Sequence, residues 1–221
     1  MRRIVTGLTI VFFLFCVSSP SYASAPKAGD ICKKFGASTG SGNKRIVCGY
    51  VTQLRWQSSP VKPPLGTIFN PVPAGQSLST SFFSVKINQI DFGVGSEICS
   101  SNPFNQGCKI NSNLAGEIDP DSAIRWVSVD LFFVNRGKYS LSPAGSNFTY
   151  YLVLANNELL ENSTTPVFTG NLSSITLSPG NSGGGRIAFA IPRESRDLNP
   201  ILILRDESQT KIVDYYLLMN W

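Results

Sequence analysis

From Thr67 to Met219, apolar residues recur at every second position in one short run after another, and this two-residue period limits the possible folds more than any other property of the chain. Val127, Val129, Leu131 and Phe133 alternate with Ser128 and Asp130. Phe148, Tyr150, Leu152 and Leu154 form a second such run, and Ile187, Phe189 and Ile191 form a third, opposite Arg186, Ala188 and Ala190. Phe83, Val85 and Ile87 alternate with Ser84, Lys86 and Asn88 before the apolar phase moves to Ile90 and Phe92, which predicts a bulge near Asn88 and Gln89. Ile201 to Leu204 and Ile212 to Met219 complete the set, and no stretch keeps a helical period. Runs with one apolar face and short polar connections predict an all-β chain folded as an antiparallel two-sheet sandwich.

The N-terminus reads as a secretory signal peptide over residues 1–25. Arg2 and Arg3 precede an apolar stretch from Leu8 to Val17, and Ala23-Ser24-Ala25 supplies the small residues of a cleavage site. The apolar stretch is too short to span a bilayer, and no later segment reaches the ~20 apolar residues a span needs. Export implies an oxidising compartment, so the cysteines left after cleavage, Cys32, Cys48, Cys99 and Cys108, read as two disulfides. Three pairings are possible; the local ones, Cys32 with Cys48 and Cys99 with Cys108, are expected, and the Cys-x-x-Cys spacing of zinc sites is missing.

The sequence contains no histidine. Ser-His-Asp and Cys-His catalysis, His-ligated zinc and His-based pH switching are thereby excluded. Any chemistry would have to run on carboxylates, lysine or tyrosine.

Residues 26–57 read as a small β module, in which extended runs from Ile31 to Phe35 and from Arg45 to Leu54 flank a turn rich in Gly, Ser and Asn, with the Cys32 to Cys48 bridge closing the hairpin. So small a unit buries little apolar surface, so a bridge contributing about 3 kcal/mol matters to it. Pro60, Pro63 and Pro64 make residues 58–66 an extended linker, leaving residues 67–221 as the sandwich, which is expected to fold without the module. Charge divides unevenly: the module carries six basic residues against Asp30, a net +5, while the sandwich carries ten basic against thirteen acidic residues, a net −3. Lys33, Lys34, Lys44 and Arg45 are therefore candidates for contact with an anionic envelope polymer, beside the simpler reading that they keep a Gly-rich hairpin soluble.

The run Trp126-Val127-Ser128-Val129-Asp130-Leu131-Phe132-Phe133-Val134-Asn135-Arg136-Gly137 resembles the valine-alternating strand, Asn, x, Gly segment of secreted telokin-like immunoglobulin domains of unknown function. Asn147-x-x-Tyr150, then Leu177-Ser178-Pro179-Gly180, then Gly185-Arg186-Ile187-Ala188-Phe189-Ala190-Ile191-Pro192 follow the order seen in that family, which includes mycobacterial immunoprotective extracellular antigens. Ala155-Asn156-Asn157-Glu158 departs from the family's Asp-x-x-Gly hairpin. The first module resembles a Gly/Cys/Trp unit that follows the signal peptide of many exported actinobacterial proteins. The resemblance implies an immunoglobulin-like form of the antiparallel β-sandwich and an extracellular setting. The family carries no agreed catalytic residues, so it implies no active site.

Two loops are candidate sites. Between Cys99 and Cys108 a disulfide-closed polar segment offers Asn102, Phe104 and Asn105 for binding, because closure removes entropy that ordering on a partner would otherwise cost. The competing reading is a plain structural staple with Phe104 folded onto the sandwich. Glu117, Asp119 and Asp121 place carboxylates at alternate positions, a spacing able to wrap Ca²⁺, although Pro120 and the lack of a closing Glu depart from the EF-hand pattern. The expectation is thus an exported, non-enzymatic protein that binds a protein or an anionic envelope polymer, secreted or associated with the cell envelope, with no nucleic-acid partner and no cofactor unless Ca²⁺ occupies the acidic loop. The alternative is a carboxylate-based hydrolase acting on cell-wall polysaccharide, which requires two facing acids ~5 to 9.5 Å apart in a cleft.

Overall fold

The computed structural model describes residues 24–50, 54–58, 60, 63–105, 108–110, 118–120, 123–145, 148–154, 156, 158–162, 168–193, 198–208 and 211–219. The signal-peptide expectation, apart from its last two residues, lies outside them. In chain order the strands are β1 (Ser38–Thr39), β2 (Ile46–Tyr50), β3 (Leu54–Ser58), β4 (Leu78–Ser79) and β5 (Phe83–Phe92). A helix, α1 (Gly95–Ser101), follows. Then come β6 (Cys108–Ile110), β7 (Ile118–Pro120), β8 (Ile124–Asn135), β9 (Phe148–Leu154), β10 (Leu159–Glu161), β11 (Ser182–Pro192), β12 (Leu198–Asp206) and β13 (Val213–Leu218).

Two four-stranded antiparallel sheets, ordered β11-β8-β5-β4 and β10-β9-β12-β13, make the sandwich. The alternation fixes which side chains meet between them: Phe83, Val85, Val129, Leu131, Phe133, Ile187 and Phe189 from the first sheet pack with Tyr150, Leu152, Leu202, Leu204 and Leu217 from the second in one core. The register of β5 on β8 shifts between Ile87 and Gln89, where the apolar phase moves in the sequence. Phe83 sits edge-on to Phe148 and Tyr215, with ring centroids 5.4 Å and 5.8 Å away, so the β5 entry end of the core is an aromatic cluster.

Both outer faces of the sandwich are covered as well, each by a disulfide-bearing unit. Sheet β1-β2-β3 and the segment before β1 lay Val47 and Phe35 against Val153, Ile203 and Tyr216 on the outside of the second sheet. α1 with the β6-β7 pair lays Ile98 against Trp126, Phe168 and Ala188 on the outside of the first. This second cover is why β8 is buried on both faces from Trp126 to Val129, where the sequence pattern had implied a half-buried strand.

Two local readings are corrected. A helix exists at Gly95–Ser101; seven residues are fewer than two helical repeats, too few to impose a visible period. In the first module, Ile31 to Phe35 is not a strand but touches β3 through a single bridge, Ile31 to Arg55, and the pairing partner of β2 is instead β3, which runs to Ser58. Phe132, on the outward side of β8, lies under the Lys86 ammonium at 5.7 Å, a cation–π contact within its own sheet.

Asn135 ends β8 and ties the surrounding loops together. Its buried side-chain amide donates to the carbonyls of Tyr139 at 2.7 Å and Leu177 at 2.8 Å, while its Oδ1 accepts the Gly137 amide at 2.9 Å. Its backbone binds Gly180 and Asn181. The Asn135-x-Gly137 and Leu177-Ser178-Pro179-Gly180 segments are therefore one hydrogen-bonded knot. Tyr150 fastens the next stretch by donating its hydroxyl to the Pro143 carbonyl, and burial pushes its phenol pKa well up. Gly183-Gly184-Gly185 lies in β11; at Gly185 a Cβ would stand 2.9 Å from Leu172 Cα and 3.0 Å from the Gly170 carbonyl, so this position lets the Leu172 turn press onto the strand.

Candidate functional site

The Cys99–Cys108 segment is built from α1 outward. Ile98 and Cys99 face inward and are fully buried, so the helix is held by its apolar side to the outer face of the first sheet. Glu97, in the first turn of α1, carries a forked ion pair to Arg186 of β11: Arg186 Nη1 donates to Glu97 Oε2 at 2.9 Å and Nη2 donates to Oε1. Arg186 also donates to the Thr169 carbonyl at 2.6 Å and stacks 5.0 Å from the Phe168 ring. The hydrogen bond from Arg186 holds the Glu97 carboxyl below its usual range, and Glu97 in turn raises the Arg186 pKa. No signal in the sequence marked this anchor, because the two residues lie 89 positions apart.

Beyond the helix, backbone hydrogen bonds tie the described residues of the turn. The Asn102 amide donates to the Ile98 carbonyl at 3.2 Å, the Asn105 amide to the Asn102 carbonyl at 3.1 Å, and the Cys108 amide to the Asn105 carbonyl at 3.1 Å. Asn102 Oδ1 accepts the Phe104 amide at 3.0 Å. Asn105 is 8% exposed and its side-chain amide donates to the Ile98 carbonyl at 2.9 Å. Of the three residues the sequence offered for binding, Asn102 and Asn105 thus shape the turn, and Asn105 faces inward and presents no amide to a partner. Phe104 does the opposite of folding onto the sandwich: it is 87% exposed at the apex. The disulfide joins Cys99 and Cys108 with Cα atoms 5.4 Å apart.

On the far side of the molecule, the Cys32–Cys48 bridge closes the first module, Cα to Cα 5.9 Å. Lys33, Lys34 and Lys44 are exposed and Arg45 is half-buried, while Phe35 and Val47 from the same segments point into the seam against the second sheet. Apolar residues inward and cations outward give the module a basic outer surface. The acidic triplet is only partly placed: Asp119 lies in β7 opposite Lys109, and Glu117 and Asp121 fall outside the described residues. Among the described residues, no three His, Cys, Asp or Glu side chains stand together in a metal-binding group. No helix among the described residues is long and apolar enough to cross a membrane.

No family model and no curated protein matches the chain. Among solved structures it is similar to an uncharacterised β-sandwich protein from Clostridium difficile, at 16% identity over 73% of this chain and 100% of that one, with a TM-score of 0.41. A secreted protein of Mycobacterium tuberculosis, MPT63, is similar at 12% identity over 67% of this chain and 97% of that one, TM-score 0.40. The yjhA protein of Bacillus subtilis is similar at 14% identity over 67% and 99% of the two chains, TM-score 0.39. The assignment of a sandwich rests on the strand pairing described above and not on these likenesses.

Proposed function

We propose that the protein is an exported, non-catalytic binding protein of telokin-like immunoglobulin type, which engages a protein partner through the stapled turn carrying Phe104. The observation behind this reading is the contrast within that turn: its backbone is tied on both sides of an aromatic ring that is 87% exposed. An exposed ring on a mobile loop gains little on binding, since ordering the loop cancels the gain; on a turn already ordered, most of the ~1.5–3 kcal/mol from burying such a side chain remains as affinity. Two disulfides fit an oxidising compartment, and a sequence without histidine is poor in acid–base groups for catalysis near neutral pH. The telokin-like assignment draws support from the physical role of its motif, since the Asn-x-Gly and Pro-Gly segments meet around Asn135. The test is retention of the intact, disulfide-bonded protein on washed cell-envelope material. Phe104→Ala should reduce it at least about tenfold, the scale of an interface anchor, whereas Ile212→Ala, at another exposed apolar residue, should not. Equal retention of both variants would reject the reading.

A second contact is favoured by the outward cations of the first module, which fit an anionic envelope polymer. Attraction between exposed charges weakens as the Debye length shortens from ~10 Å at 0.1 M to ~3 Å at 1 M salt. Retention through this surface should fall steeply with salt and be lost when Lys33, Lys34, Lys44 and Arg45 are all replaced by alanine.

A further inference from the structure

At the end of the sandwich where β8 stops, a groove of about 710 Å³ opens between the turn before β5, the loop after β8 and the end of β12. It lies away from the stapled turn: α1 packs on Trp126, nine residues up β8 from Asn135, which puts the two sites about 30 Å apart at the strand's rise per residue. The only charged side chains among its described lining residues are two cations, Arg136 and Lys138. Two aromatic rings stand at its mouth, Phe82 at 50% exposed and Tyr139 at 86% exposed, and serine hydroxyls, among them Ser140 and Ser208, line the walls.

These side chains are exposed, but the backbone beneath them is fixed. Asn135 holds the Tyr139 carbonyl and the Gly137 amide, and the Arg136 amide donates to the Phe82 carbonyl at 2.9 Å. Thr80 Oγ1 accepts the Phe82 and Phe83 amides at 3.1 Å and 3.0 Å. Leu141 and Leu177 exchange backbone hydrogen bonds at 2.9 Å and 2.8 Å, closing the far end of the loop. Four ligand-facing side chains therefore project from a frame that binding need not order.

We infer that this groove binds a short segment of an acidic polysaccharide. Each part of the lining matches one part of such a chain. A pyranose ring presents a C–H face that stacks on an aromatic ring, which Tyr139 and Phe82 supply. Its hydroxyls pair with serine hydroxyls, and its carboxylate or phosphate groups pair with the Arg136 guanidinium and the Lys138 ammonium. The volume lies within the ~300–1,000 Å³ of small-ligand sites. Single-stranded nucleic acid also combines stacking bases with anions, but it carries a phosphate at every residue and is held by grooves that track many of them. Two cations beside a hydroxyl-rich wall suit a polymer of sparser charge.

Equilibrium binding of the intact protein to four probes tests the inference: an oligohyaluronate, which carries a carboxylate on every second sugar, a phosphomannan, neutral dextran and an oligothymidylate. The expected result is binding to at least one of the two anionic glycans, with the preferred one identifying the anion as carboxylate or phosphate. Tyr139→Ala and the Arg136→Gln/Lys138→Gln pair should each weaken that binding at least about tenfold while leaving the thermal melt in place, since all three side chains are exposed. Phe104→Ala and the quadruple alanine variant of the basic module should bind as the wild type does, which separates this site from both contacts proposed above. No binding to either anionic glycan, equal binding to dextran, tighter binding to oligothymidylate, or indifference to the Tyr139 and Arg136/Lys138 variants would each overturn it.

Discussion

Asn135 has 1% of its surface exposed, yet its side chain uses both amide hydrogens and its oxygen on backbone groups of three different residues. Asn135→Asp keeps the size and the acceptor but removes both donors and places a negative charge against two carbonyl oxygens. Because unsatisfied buried acceptors and an unpaired buried charge both cost free energy, the variant should lose about 3 kcal/mol or more in a urea titration, and more than Asn135→Ala. Equal losses would mean that the buried charge adds no cost beyond the loss of the amide's hydrogen bonds. The residue was visible in the sequence as part of a motif, but its role was not, because one partner, Leu177, is 42 positions away. Glu97 is a milder case. Its carboxyl is held below the usual value of 4.5 chiefly by the hydrogen bond from Arg186, so the pair contributes stability above that pH and loses it as pH falls through the lowered folded value. The Glu97 side chain is 41% exposed, which screens the pair, and the contribution should stay below ~1 kcal/mol. In Glu97→Gln the fall in stability below about pH 4.5 should accordingly be shallower than in the wild type, measured by denaturant midpoints between pH 3 and 6. A parallel acid limb in the two proteins would place the effect in other carboxylates.

Elements that follow a two-residue period were legible in the sequence; elements defined by contacts were not. Four of the six principal strands of the sandwich and the bulge in β5 came from alternation, since each of those strands is long enough to show its phase, while β12 and β13 came from nearly continuous apolar runs. α1 escaped because it spans seven residues and owes its existence to Ile98 and Cys99 packing on the sheet, to the Arg186 anchor and to the disulfide. Removing the staple tests that account. A loop with this sequence separation of 9 corresponds to about 2.7 kcal/mol of unfolded-state entropy, so Cys99→Ala/Cys108→Ala should be destabilised by up to roughly 3 kcal/mol. The loss should also be local: amide exchange should quicken in residues 95–105 while β8 and β11 stay protected in the same sample. Uniform acceleration would mean that the helix folds only with the whole sandwich and has no separate stability.

At the scale of the whole molecule the sequence suggested a small module tethered to an autonomous sandwich, whereas the packing joins them through an apolar seam. Phe35 and Val47 cover Val153, Ile203 and Tyr216, and the Phe35 and Tyr216 rings stack with centroids 6.1 Å apart. Such a seam is invisible to pattern reading, because Val153 and Ile203 lie on the outward positions of their strands, where alternation alone assigns no neighbour. A chain beginning at Thr67 retains the inner core and keeps Ile68 on the outer face, so it should still melt cooperatively. It should do so at lower stability, since uncovering parts of three side chains that each gain ~1.5–3 kcal/mol from full burial removes about 3–5 kcal/mol. The exposed patch should bind a hydrophobic dye or drive self-association, and Tyr216, whose phenol pKa burial now pushes up, should titrate closer to an ordinary tyrosine. A noncooperative product would show that the module completes the fold, and an undiminished melting temperature with no dye binding would show that the seam adds nothing to it.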